Sequence, residues 1–155
     1  MSGLVVVDAS LAVKWIVSEP YSDAAATKLE EWVGSRTRLL APGLMAFEVA
    51  NALHTRVLRA ELDAEQAELL LVAILTSGPE LDHGNEVHVR ALQIARRFRR
   101  PSPYDAHYLA LAEREGCECW TADERLWNAV GRDLPWVRWI GEISASAEGA
   151  APVSL

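Results

Sequence analysis

Little in this chain supports the simplest structural or membrane roles. Its two cysteines, Cys117 and Cys119, are too few for a disulfide scaffold. Residues two apart in a strand share a face but sit too far apart to pair, so two reduced thiols are expected. No apolar run reaches the roughly 18 uncharged residues that a membrane span needs. The start of the chain has no basic leader segment, and Asp8 and Lys14 interrupt its apolar run. A cytoplasmic protein without a membrane partner is the expectation. Basic residues are the minority, 15 against 22 acids, for a net charge of −7. That balance argues against simple non-specific nucleic-acid binding. His54, His83, His88 and His107 are scattered without zinc-ligand spacing. His107 is read as a packing or surface residue, since residues two apart on a helix point to different sides from Asp105. There is no internal repeat and no interdomain linker.

What is present is a chain of 155 residues, half of them hydrophobic, enough for one domain with a substantial core. That domain is placed at residues 1–143. Ser, Ala, Gly and Pro dominate residues 144–155, which are expected to be a disordered tail. Residues 4–8, 39–41, 118–121 and 136–140 read as strands, the last as an edge strand. Helices are expected at 10–17, 22–33, 44–59, 64–76, 86–98, 104–115 and 123–130, with Ser10, Ser22 or Asp23, and Asp63 as N-caps. Short strands alternating with helices predict a three-layer α/β/α sandwich around a mostly parallel sheet.

Four acids stand out because each lies in an otherwise apolar stretch. Asp8 ends Leu4-Val5-Val6-Val7, and Glu48 sits within Met45-Ala46-Phe47-Glu48-Val49-Ala50. Asp105 follows Pro103-Tyr104, and Asp123 follows Trp120-Thr121-Ala122. A carboxylate in apolar surroundings is costly unless it is paired, protonated or bound to a cation. No Lys or Arg is equally placed to pair with them. Asp8 and Asp123 fall at the C-terminal ends of predicted strands, where open parallel sheets bind ligands. Asp105 lies in the first turn of a helix that starts at that edge, and Glu48 one turn into another. One crevice can thus collect four hard oxygen donors, a set suited to Mg²⁺ or Mn²⁺. Taken singly, each acid also has an ordinary reading as a dipole match or turn residue. Asn51 shares a helical face with Glu48, placed to orient it or to touch substrate.

On these residues, the chain resembles the PIN-domain family, and within it the VapC-type toxin ribonucleases of toxin–antitoxin modules. Asp8-Ala9-Ser10 with Lys14-Trp15 resembles the opening motif, and Glu48 with Asn51 the second. Tyr104-Asp105-Ala106 with Tyr108 and Ala110-Leu111-Ala112 resembles the third, and Thr121-Ala122-Asp123 with Leu126 the fourth. The resemblance implies that Asp8, Glu48, Asp105 and Asp123 hold Mg²⁺ or Mn²⁺, with Ser10 and Thr121 supporting them. It implies hydrolysis of RNA by a metal-activated water, leaving 3′-hydroxyl and 5′-phosphate ends. It also implies a homodimer and a cognate antitoxin. Some relatives carry a further acid after the fourth motif. Glu124 and Asp133 fit that place poorly, so one tight metal with a weaker second is expected.

Arg96, Arg97, Arg99 and Arg100 are the first candidates for contact with the RNA backbone. Of six tryptophans, Trp32, Trp136 and Trp139 are candidates for a partner surface. A haloacid-dehalogenase-type phosphatase needs an acid where Ser10 stands, and a response-regulator receiver needs an acid pair that is missing. The remaining alternative is a catalytically silent PIN-like binding or scaffold module, which should have lost one or more of the four acids.

Overall fold

A computed structural model of the protein describes residues 3–143. The expected tail at 144–155 lies outside the described residues. The strands are β1 (Leu4–Val7), β2 (Arg38–Pro42), β3 (Glu80–Asp82), β4 (Glu118–Thr121) and β5 (Val137–Trp139). Between them run α1 (Ala9–Ile16), α2 (Ser22–Gly34), α3 (Leu44–Leu58), α4 (Ala64–Ser77), α5 (Val87–Arg97), α6 (Tyr104–Glu115) and α7 (Glu124–Val130).

The sheet has the order β3-β2-β1-β4-β5, and every pairing is parallel rather than mostly so. β1 is central because Val5, Val6 and Val7 are apolar on both faces and buried on both. Right-handed crossovers put α1 to α4 on one face and α5 and α6 on the other. α6 packs on β1, β2 and β4, while α1 and α3 pack on β4 and β2. The apolar run of α6, Ala106 and Tyr108 to Ala112, is buried, and Gly116 closes the helix in the left-handed conformation at φ 64°.

β3 is absent from the expectations drawn from sequence. Glu80-Leu81-Asp82 carries a single apolar residue and pairs only with β2, through Leu40–Glu80, Ala41–Leu81 and Pro42–Asp82. An edge strand this short has no alternation to read. Two caps also differ from expectation. Asp8, not Ser10, caps α1, accepting from the Leu11 amide at 3.0 Å. Tyr21 precedes α2 without a side-chain cap, whereas Asp63 caps α4 through the Gln66 amide at 2.7 Å.

The tryptophans serve the interior more than a partner. Trp32 is buried and makes edge contacts with Trp15 and Trp120, at 6.5 and 5.8 Å between centroids. Trp139 stacks on Trp127 at 5.3 Å. The partner-surface expectation therefore fails for Trp32, while Trp136 and Trp139 are half-buried. Among the described residues, no helix is long and apolar enough to cross a membrane.

Candidate active site

The chain leaves β1 for β2 on one side and later returns to lay β4 on the other. The switch point of the sheet thus falls between β1 and β4. Asp8 continues β1 past its end, its amide bonding the Trp120 carbonyl of β4 at 3.1 Å. Its carboxylate is buried, yet every lone pair in use points to a short local donor. The Ser10 hydroxyl donates to Oδ1 at 2.7 Å, the Leu11 amide donates to the same oxygen, and the Thr121 hydroxyl donates to Oδ2. Ser10 in turn accepts from the Ala122 amide at 3.0 Å, and Thr121 Oγ1 accepts from the Asp123 amide at 2.9 Å. Ser10 and Thr121 therefore stitch the ends of β1 and β4 together around one carboxylate.

Burial outweighs these hydrogen bonds and pushes the Asp8 carboxyl up to about 6, with the nearby charge of Asp105 adding to the rise. Glu48, half-buried on α3, is also held above the ordinary carboxylate range. Burial is the main cause and Asp105 contributes, while a hydrogen bond from Tyr108 and the proximity of His107 pull the other way. Tyr108 Oη donates to Glu48 Oε1 at 2.6 Å. Its phenol is kept far above its usual range, chiefly by burial and by the charges of Glu48 and Asp8. Asp105 thus acts on both Asp8 and Glu48 across the end of the sheet.

Asp123 stands apart from that trio. Its Oδ1 accepts from the Arg125 and Leu126 amides at 2.9 and 3.2 Å, capping α7. It reaches Asp8 only through Thr121. Asp105 is also engaged elsewhere, since Arg100 Nη2 donates to its Oδ2 at 3.1 Å. Among the described residues, no three His, Cys, Asp or Glu side chains are drawn together to hold a metal ion as they stand. Asp105 and Asp123 are half-exposed and held by donors outside the site, whereas Asp8 and Glu48 are more deeply set and held by donors within it.

Arg100 corrects two expectations. It supplies the cationic neighbour that the sequence did not reveal. It is also largely inward, with a side chain only 15% exposed, where Arg96, Arg97 and Arg99 face solvent. The turn after α5 explains this. Arg99 adopts the left-handed conformation at φ 51°, at a cost of roughly 1–2 kcal/mol. The Arg100 amide can then bond the Ala95 carbonyl at 2.8 Å, and the chain turns back toward the first turn of α6. The guanidinium is not saturated, since Arg100 Nε is buried without a partner.

Asn51 is exposed, and among the described residues its side chain makes no hydrogen bond to Glu48 or to any other group. It borders a shallow groove with Leu44, Phe47, Glu48 and Tyr104. Tyr108, by contrast, has a role that sequence reasoning missed. A tyrosine on the buried face of an Ala- and Leu-rich helix needs a partner for its hydroxyl, which is the signal that points to that role.

No curated protein matches the chain. A family model described as the PIN domain matches residues 5–132, a span that opens in β1, closes just past α7 and encloses all four carboxylates. PIN domains are generally metal-dependent nucleases. With that match over most of its length, and a five-stranded parallel sheet gathering acids at its switch point, the chain belongs to the PIN-domain family.

Proposed function

We propose that the protein is a Mg²⁺- or Mn²⁺-dependent endoribonuclease acting as the toxin of a toxin–antitoxin pair. The observation that carries the nuclease reading is Asp8. It is a buried carboxylate at the switch point, held by Ser10, Leu11 and Thr121 from two strand ends, with Asp105 in electrostatic reach and, among the described residues, no basic side chain bonded to it. A structural carboxylate would be paired; one raised toward neutrality by its surroundings is suited to receive a cation.

The donor set fits the ion. It consists of carboxylate oxygens, with no thiolate or imidazole among Asp8, Glu48, Asp105 and Asp123, as Mg²⁺ and Mn²⁺ prefer. When bound, such an ion offsets phosphate charge and lowers the pKa of a coordinated water. Asp8 and Glu48 supply the fixed half of the site. Asp105 and Asp123 complete it by turning from Arg100 and from the α7 amides. Ser10, Thr121 and Tyr108 keep the fixed carboxylates in place and ionised, and Asn51 faces the groove along which substrate lies.

The toxin role rests on the four motifs in order and on an apolar groove of about 680 Å³ at the far side of α4. It is lined by Ile16, Val17, Leu62, Leu69 and Leu70, with Arg56 at its rim. The apolar face of an antitoxin helix fits such a groove. Exposed Val89 and Leu92 on α5 suit a homodimer contact. A cytoplasmic location follows from that role.

The test is cleavage of total RNA by the purified protein with Mg²⁺, with Mn²⁺ or with EDTA, beside Asp8→Asn and Asp105→Asn. Metal-dependent cutting lost in both variants supports the reading. No cutting by wild type, together with no calorimetric binding of either ion, would overturn it. Co-purification with the product of a small adjacent reading frame tests the antitoxin.

A further inference from the structure

Phe47 and Tyr104 are 76% and 57% exposed, although each immediately precedes a candidate carboxylate, Glu48 or Asp105. Together with Leu44 they wall two depressions that thereby join. One holds Glu48 and Asn51; the other, of about 430 Å³, is floored by His83, His88 and His107. A Cβ on Gly43 would lie 2.5 Å from His83 Nδ1, so glycine lets this imidazole lie against the end of β2.

One of the two inner histidines has an assignable proton. The Pro103 carbonyl can only accept, so His107 Nδ1, 2.7 Å away, carries the hydrogen. His107 Nε2 and His88 Nδ1 share one hydrogen bond at 2.9 Å, its direction set by the tautomers of the two rings. Among the described residues, His88 Nε2 has no hydrogen-bond partner, and its side chain is exposed at the cleft. His107 is also within electrostatic reach of Glu48, which ties this floor to the carboxylates.

We propose that this trough seats one nucleobase of single-stranded RNA beside the bond that is cut. The base stacks on Phe47 and Tyr104, and His88 Nε2 hydrogen-bonds its edge. The inference rests on the ribonuclease reading and deepens it, since it makes the trough the source of sequence preference. Proteins read unpaired RNA by stacking bases on aromatic rings and bonding their edges. An aromatic, hydrogen-bonding trough bordered by Glu48 and Asp82 also suits a base better than a phosphate.

The experiment uses the full chain and Phe47→Ala, Tyr104→Ala and His88→Gln. These are exposed positions, where substitution leaves the fold in place. Fluorescence anisotropy with short homopolymers of each base, in EDTA, reports binding without cutting. End-sequencing of RNA cut in Mn²⁺ reports the base at the cleavage site. Each aromatic truncation should weaken binding about tenfold. His88→Gln should change which base is favoured, a readout that a patch serving only self-association would not move. Wild type that cuts RNA while all three variants keep its affinity and base preference overturns the inference and spares the nuclease reading. Loss of a dimer by light scattering in Phe47→Ala, with RNA affinity and preference intact, assigns the patch to a second copy and also overturns it. Wild type that neither binds nor cuts RNA sinks both.

Discussion

Replacing Asp8 by Asn should make the metal-free protein more stable at neutral pH. The carboxyl rises from its ordinary 3.8 to about 6 on folding, chiefly through burial. Well below its ordinary 3.8 it is neutral in both the folded and unfolded chain and costs nothing. As pH climbs toward 6 the unfolded chain gives up this proton while the folded chain keeps it. Stability then falls, and above 6 the loss is complete and constant. At 1.36 kcal/mol per pH unit, the full loss is about 3 kcal/mol. The Asp8→Asn substitution abolishes it. The new amide oxygen can keep the bonds from Ser10 and Leu11, while its NH₂ faces the Thr121 hydroxyl, which must turn to accept. That rearrangement costs about 1 kcal/mol, leaving a net gain of about 2 kcal/mol at pH 7.5. Urea unfolding in EDTA, followed by tryptophan fluorescence from pH 4 to 8, measures it. The difference between variant and wild type should be small or slightly unfavourable at pH 4 and grow to its plateau by about pH 6.5. Divalent ion at about 100 times its Kd should return about 2.7 kcal/mol to wild type and little to the variant. A stability difference that does not change with pH would refute the assignment of Asp8 as a destabilised, cation-seeking carboxylate.

Three further outcomes follow from individual contacts. Arg100→Gln removes the competitor for Asp105, so calorimetry should show Mn²⁺ binding about fivefold tighter, the equivalent of about 1 kcal/mol for a half-exposed pair; unchanged or weaker binding would count against the competition. Tyr108→Phe removes the hydrogen bond that holds Glu48 ionised. The pH at which Mn²⁺ binding develops should move upward, and stability should fall by about 1–2 kcal/mol; an unmoved pH profile would detach Tyr108 from the site. Ser10→Ala leaves the Ala122 amide without its acceptor, at about 1–3 kcal/mol, and hydrogen exchange at that amide should quicken; unchanged exchange would mean the bond is not formed in solution.

The burial of Asp8 and Glu48 was legible because charge in an apolar run is a thermodynamic anomaly that needs no structure to notice, whereas Asp105 and Asp123 proved half-exposed and partnered. The central strand was legible for the same reason, since Val5 to Val7 permit burial on both faces. Arg100 was not. Its inward course depends on a left-handed Arg99, and a non-glycine residue in that conformation leaves no mark in the sequence. β3 was hidden because a short edge strand need not alternate. The choice of Asp8 over Ser10 as the α1 cap was hidden because both are good caps two residues apart, and only the β1–β4 ladder decides which is extended. The separation of Asp123 from the other three acids was equally invisible, since the same residue type that ligates a cation also caps a helix.

The stitch between Ser10, Thr121 and Asp8 joins residues more than a hundred positions apart. During synthesis, a chain that has emerged only through α6 already carries Asp8, Glu48 and Asp105, yet has nothing to hold them as a site. β4 must arrive and zip onto β1 before Asp8 gains its Thr121 donor and Ala122 closes on Ser10. Completion of the site is therefore a late folding event, governed by one of the longest loop closures in the molecule. Premature termination or proteolysis before β4 should yield an inert fragment rather than a weakened enzyme.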